Sequence, residues 1–212
     1  MSKLRLLSKA AARHLQADPA MARLIERIGP IEVSPRRLHP FQSLTQAVIH
    51  QQLSGRAAQT ILDRFRALFH GVEFPSPEAV LKMSPETLRS AGLSRPKAGY
   101  ILNLARRAAD GLVPSLEDCD GMTDAALVEN LTANKGVGRW TVEMLLIFNL
   151  GRPDVLPIHD LGIRRGYQMV FRKRSLPDPD RLARYGARWG PHRTTAAFYL
   201  WRAADFLKDG EW

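Results

Sequence analysis

The segment Leu131–Asp160, LTANKGVGRWTVEMLLIFNLGRPDVLPIHD, concentrates the residues best suited to chemistry on a polyanion. An amphipathic stretch stops at Asn134-Lys135, turns through Gly136-Val137-Gly138 and restarts as a helix at Arg139. The two glycines let the backbone bend tightly and bring its N–H groups close to a surface. Those N–H groups stand at a helix N-terminus, where the dipole favours an anion such as a phosphate. Leu131 and Val137 are placed to pack the two helices together, while Lys135 and Arg139 flank the turn with positive charge. Asp160 lies 22 residues after Gly138, just before LGIRRG. Aspartate is a good helix N-cap. Capping and catalysis are compatible, because a carboxylate at a helix start is held in one orientation.

Other residues have two readings. Trp140 follows Arg139 on the second helix of the turn. A tryptophan there is ordinarily core; at a cleft mouth its ring would stack on an extruded base, a cationic one most of all. Gln51-Gln52-Leu53-Ser54-Gly55 interrupts a helical pattern. It reads as a helix–helix turn, or as an exposed wedge that enters a base stack. His159 and His192 have no second ligand at metal spacing and read as structural or pocket-lining. Arg172-Lys173-Arg174 is a solvated face or an extension of a phosphate-binding surface.

The elements that must position these residues are helical. Periodicity near 3.6 dominates and strand alternation is nearly absent. Helices are expected over residues 4–17, 19–28, 41–51, 54–70, 76–82, 84–91, 94–110, 123–133, 139–150, 160–172, 178–188 and 191–208. Cap signals such as Ser76-Pro77-Glu78, Ser84-Pro85-Glu86 and Thr123-Asp124 open several of them. The fold class is therefore all-α, with two helical lobes and a cleft between them. Lobe one spans about 30–111. Lobe two combines about 1–29 and 112–212, including the hairpin 131–142, and 112–121 serves as the crossover.

Bulk composition agrees with an anionic partner. Lys and Arg number 31 against 21 Asp and Glu, for a formal charge of +10 over 212 residues. That balance points first to nucleic acid. A single cysteine, Cys119, excludes a disulfide framework and a four-cysteine cluster. No apolar run, Met144–Phe148 included, is long enough to cross a bilayer. No secretory leader is evident, and a cytoplasmic location, nuclear in a eukaryote, is expected.

The pieces IHQQLSGRAA, LTANKGVGRWTVEM, DVLPIHDLGIRRG and RWGPHRTTAAFYLWR together resemble the helix-hairpin-helix DNA glycosylase superfamily. Within it the chain looks like the alkylpurine, 3-methyladenine DNA glycosylase II type. The resemblance runs from residue 49 to residue 202. It implies that Asp160 is catalytic, and that Leu53, after Gln52, is the wedge replacing a flipped nucleotide. It implies that Trp140, with Met144 and His192, lines the base pocket. Gly136 and Gly138, with Lys135, Arg139 and Thr141, would hold DNA phosphate. The backbone carbonyls of Thr132, Asn134 and Gly136 would take a monovalent cation, the sole cofactor implied. In relatives that also nick DNA a lysine occupies the Trp140 position. Its replacement implies a monofunctional enzyme. The extra N-terminal α/β domain of some bacterial members is expected to be missing.

The resemblance implies excision of alkylated purines of the 3-methyladenine and 7-methylguanine type from double-stranded DNA, by a monomer that needs no membrane. Such bases carry positive charge and leave as neutral molecules, so one carboxylate suffices without a general acid. Two rivals remain at this level: a helix-hairpin-helix module that only binds DNA, and a glycosylase for mispaired thymine, uracil or oxidised purines.

Overall fold

Hydroxyl side chains set where most helices begin. Ser8, Ser54, Ser76, Ser84, Ser94, Ser115 and Thr123 each take an extended conformation and accept an N–H from the first helical turn. Each satisfies one of the donors that a helix start leaves orphaned. The computed structural model describes residues 8–209. Its elements are α1 Lys9–Gln16, α2 Pro19–Ile28, α3 Pro40–His50, α4 Gly55–Ala67, α5 Pro77–Leu81, α6 Pro85–Ser90 and α7 Arg95–Ala109. There follow α8 Leu116–Gly121, α9 Asp124–Thr132, α10 Arg139–Met144, a π-helical stretch Leu145–Leu150, α11 Leu161–Val170, α12 Pro179–Gly186, a 3₁₀ turn Ala187–Trp189 and α13 Arg193–Asp209. No strand occurs among the described residues. The all-α expectation holds. Residues 4–7 of the expected first helix lie outside the described residues, and α1 starts at Lys9 behind the Ser8 cap.

Two elements differ from the sequence expectation. Residues 112–121, expected as a crossover, contain α8. The Asp118 N–H donates to Ser115 Oγ at 3.1 Å, and the Ser115 N–H donates to Asp118 Oδ2 at 2.9 Å. This reciprocal cap starts a helix too short to show a periodic apolar face, with Cys119 as its one buried residue. The expected helix 139–150 is α-helical only to Met144 and π-helical beyond it. Leu145-Leu146-Ile147-Phe148 is apolar at every position, so its pattern cannot distinguish the two helix types.

The described chain divides into two compact units, one of residues 8–36 and 146–209, the other Arg37–Leu145. The boundary differs from the expected lobes, because α8, α9 and the hairpin group with α3–α7. Long-range hydrogen bonds account for this. Arg107 Nε donates to Asn134 Oδ1 at 3.0 Å, the Lys135 N–H to Asn103 Oδ1 at 3.1 Å, and Gln51 Nε2 to the Gly136 carbonyl at 2.9 Å.

In the 37–145 unit the core is built from Phe41, Leu44, Val48 and Ile49 of α3, Leu62 and Phe65 of α4, and Ile101 and Leu104 of α7, all buried. In the other unit α11 packs along α13. A Cβ on Gly166 would fall inside contact distance of the Leu200 carbonyl, so the two backbones approach as closely as a glycine allows. Tyr167 and Trp189 fill the centre of that unit beside Leu15, Met21, Leu24 and Leu182. Each such buried side chain contributes on the order of 1.5–3 kcal/mol.

Candidate active site

The site residues fall into two clusters, one in each unit. The first is built on the turn between α9 and α10. Gly136 has φ +82°, and a Cβ there would overlap the Tyr100 ring, so this position requires glycine twice over. Gly138 differs. It is the N-cap of α10 at φ −89°, with open space where a Cβ would be. No side chain caps α10, and an uncapped helix start is the usual setting for an external acceptor. Leu131 and Val137 are buried between the helices, as expected. Arg139 Nε lies 3.0 Å from Glu143 Oε1, an exposed cation on a buried carboxylate one turn on.

The turn is braced from α7 and α3. Lys97 Nζ donates to the Ile49 and Gln51 carbonyls at 2.8 and 2.6 Å. Burial lowers the Lys97 pKa. The ammonium thereby closes the C-terminus of α3, where carbonyls lack helical partners. Gln51 passes the constraint to the Gly136 carbonyl. Gln52 follows at φ +57°, a left-handed conformation uncommon for a residue with a side chain. Leu53 comes next and is 39% exposed.

A recess of about 420 Å³ is lined by Ala47, His50, Gln51, Gln52, Trp140, Thr141 and Met144. Five residues singled out from the sequence, Gln51, Gln52, Trp140, Thr141 and Met144, therefore meet in one place. Trp140 is 48% exposed and is not core. Thr141, expected among the phosphate contacts, is buried and faces this recess instead. His50 and Ala47 were not singled out from the sequence. They project from the α3 end, which no local signal marks as facing α10.

The Thr132, Asn134 and Gly136 carbonyls were expected to hold a cation. The Gly136 carbonyl accepts from Gln51 and the Asn134 carbonyl from the Val137 N–H at 3.1 Å. These two already serve a hydrogen-bonded turn, and the chemistry below depends on no cation. Among the described residues there is no group of three or more His, Cys, Asp or Glu that would hold a metal ion.

The second cluster surrounds Asp160. It caps α11, and its Oδ1 accepts the Ile163 N–H at 2.9 Å. The same oxygen accepts Trp201 Nε1–H from α13 at 2.9 Å. Trp201 stacks on Phe148 with ring centres 5.7 Å apart, and Phe198 meets it edge-on at the same distance. A Cβ on Gly162 would stand 3.0 Å from Trp201 Cδ1 and 3.1 Å from Asp160 Oδ1. Glycine at 162 thus opens the gap through which the indole reaches the carboxylate. One turn on, Arg164 Nε donates to the Pro177 carbonyl at 2.9 Å.

The loop leading to Asp160 is fixed by the start of α13. Arg193 grips Asp154 with Nε to Oδ1 and Nη2 to Oδ2, both at 2.7 Å. The Arg193 hydrogen bonds hold the Asp154 carboxyl below the usual carboxylate range against the opposing effect of burial. Thr194 Oγ1 donates to the Arg152 carbonyl at 2.6 Å and accepts the Val155 N–H at 2.9 Å. His192, expected with Trp140 and Met144, belongs to this unit, with its ring edge-on to His14 at 5.4 Å. Trp201, Gly162, Arg193 and Asp154 were not singled out from the sequence.

A carboxylate locked by two donors on one oxygen can stabilise a developing positive charge without reorganising. An exposed indole in a mostly apolar recess can stack on a flat ring. Residues 45–192 match a family described as HhH-GPD superfamily base excision DNA repair protein. DNA-3-methyladenine glycosylase 1 of Schizosaccharomyces pombe is 37% identical over 207 residues, 95% of this chain and 91% of that protein. The solved structure of a Schizosaccharomyces pombe 3-methyladenine DNA glycosylase in complex with abasic DNA aligns at a TM-score of 0.81, covering 92% of this chain and 96% of that one. The DNA-3-methyladenine glycosidase of Bacillus halodurans aligns at 0.86 with 33% identity, covering 99% and 95%.

Proposed function

The chain belongs to the HhH-GPD superfamily of base excision DNA repair proteins, and we propose that it is a monofunctional DNA glycosylase that flips alkylated purines out of duplex DNA and hydrolyses their N-glycosidic bond. The observation that carries this reading is the Asp160 carboxylate, fixed by the Ile163 and Trp201 donors at the start of α11.

Base flipping removes stacking and pairing worth a few kcal/mol. The exposed Leu53, on the turn held by Lys97 and Gln51, is suited to fill the gap. The recess holding Trp140 takes the extruded base. A cationic 3-alkyladenine or 7-alkylguanine gains there from cation–π attraction. Such a base departs neutral, so no proton need be delivered to it. Asp160 stabilises the positive charge that develops at C1′ and orients the attacking water. The product is an abasic site in an intact strand, released without a covalent enzyme intermediate. A monomer suffices for each of these steps.

The hairpin N–H groups, with Lys135 and Arg139, supply the phosphate contacts. They make duplex affinity steeply salt-dependent.

Base release from methylated duplex tests the reading. Asp160→Asn is isosteric and removes the charge. The variant is expected to bind duplex and to release no base. Near-parental release by it refutes the assignment. Borohydride treatment during turnover is expected to trap no enzyme–DNA adduct, since position 140 carries an indole and not an amine. A panel including uracil, mispaired thymine and oxidised purine duplexes is expected to give release from the alkylated substrates alone.

A further inference from the structure

The basic run at 172–174 plays no part in the site above, yet its middle residue, Lys173, lines an open groove. α11 ends in a turn in which the Arg172 N–H donates to the Met169 carbonyl at 3.0 Å and the Lys173 N–H to the Gln168 carbonyl at 2.8 Å. This bonding pattern normally places glycine at the first position beyond the helix end. Here Arg172 occupies it, at φ +48°. The turn brings Lys173 back beside Tyr167 and α12. Together with Asp178, Arg181, Arg184, Tyr185 and Arg188 they line an open groove of about 610 Å³.

The charges in this groove do not balance. Four cations face one carboxylate, and Asp178 Oδ1 already accepts the Arg181 N–H as the cap of α12. Arg181 and Arg184 stand three residues apart on one face of α12, and Arg188 follows in the 3₁₀ turn Ala187–Trp189; all three line the groove. The Arg188 guanidinium lies 3.7 Å from the centre of the Tyr185 ring, and its Nε donates to the Tyr185 carbonyl at 3.1 Å. The Tyr185 hydroxyl is turned away, donating to Asp18 at 2.9 Å. Burial and that bond push its pKa up to about 12, so it adds no negative charge. The side chains of Lys173, Arg181 and Arg184 make no hydrogen bond or ion pair with the described residues. Like charges converging without acceptors repel one another, and an anion relieves the repulsion.

We propose that this groove is a second DNA-phosphate site, which takes the backbone of undamaged duplex remote from the lesion. Tyr167 is seven residues along α11 from Asp160, about 10 Å by helix rise, so the groove flanks the other end of the helix that Asp160 caps. An open groove of spaced guanidinium groups suits consecutive phosphates of a strand, each bound by a charge-assisted fork. The proposal rests on the chain being a DNA glycosylase, and its test separates the two.

The double variant Arg181→Gln/Arg184→Gln is compared with the parent, and with the control Arg64→Gln/Arg89→Gln, which removes the same charge from exposed positions on α4 and α6. Affinity for long undamaged duplex is measured across a salt series, alongside single-turnover base release from a short methylated duplex at saturating protein. The groove variant is expected to lower the slope of log affinity against log salt by about 1–2, since each lost phosphate contact removes about 0.9. Base release from the short duplex is expected to be unchanged in it, and the control is expected to keep the parental slope. An unchanged slope in the groove variant overturns the groove and leaves the glycosylase reading standing. An equal slope change in the control overturns it as well, because net charge alone would then account for the effect. Loss of base release in the groove variant also overturns it, because those arginines would then serve the lesion site or the fold.

Discussion

Trp201 Nε1 lies 2.9 Å from Asp160 Oδ1, and this bond links α13 to the cap of α11. It makes the orientation of the carboxylate a property of the aromatic cluster behind it. Phe148 stacks on the indole, and Phe198 meets it edge-on.

Trp201→Phe keeps the stacked ring and removes the N–H donor. A hydrogen bond to a charged group contributes about 1.5–3 kcal/mol. If that bond serves the transition state, single-turnover excision falls roughly 10–100-fold. Duplex affinity is expected to stay near parental. A parallel loss of affinity and rate would assign Trp201 to the fold and not to the carboxylate.

Gly162→Ala tests the same contact from the other side. The new methyl would press on both Trp201 Cδ1 and Asp160 Oδ1. The expected result is slowed excision, because the methyl would displace the indole or the carboxylate from their hydrogen bond. Parental excision rates would show that the contact does not matter.

Gly166→Ala separates fold from chemistry. Its methyl would meet the Leu200 backbone, which cannot give way as a side chain can. Overpacking of this kind costs about 1–3 kcal/mol and occasionally more. Denaturant unfolding is expected to show a loss at the upper end of that range.

Gly136→Ala is expected to weaken duplex binding at low salt, since the methyl meets the Tyr100 ring and the residue is held at φ +82°. Adding Tyr100→Ala removes the overlap but not the backbone strain, which is of order 1–3 kcal/mol. Affinity is therefore expected to recover only in part. Full recovery would locate the whole effect in the ring contact.

The Asp154–Arg193 pair has a defined pH window. Its folded-state carboxyl pKa is depressed below the unfolded value of about 3.9. The contribution is thus present above that value and is lost as pH falls through the lower folded pKa. Unfolding measured against pH is expected to show parent more stable than Asp154→Asn at neutral pH. The gap should close progressively below about pH 4. A gap that persists in strong acid would exclude the ion pair as its source.

Much of this architecture can be read from local signals. Ser76-Pro77, Ser84-Pro85 and Thr123-Asp124 mark helix starts because a capping hydroxyl and the N–H that donates to it lie within three residues of each other. The Gly136 turn and the Asp160 cap are legible for the same reason. α8 escapes because one buried residue, Cys119, gives no period to count. Trp201 escapes because its partner is 41 residues away, and nothing in AAFYLWR separates a donor aimed at Asp160 from core packing. The bonds made by Lys97 and Gln51 escape for a related cause: their partners are main-chain carbonyls, which leave no trace in residue type. Thr141 sits two residues past Arg139, yet its side chain is buried and lines the recess, because a short step around a helix turns a side chain inward.

Gln52 has a further consequence. A chain tuned only to resist unfolding would place glycine where φ is +57°, gaining roughly 1 kcal/mol by relief of strain. Glycine would leave the recess without an amide and the neighbouring leucine on a looser tether. Thermostabilising substitution at this position should therefore trade durability against the ability to hold a gap open in duplex.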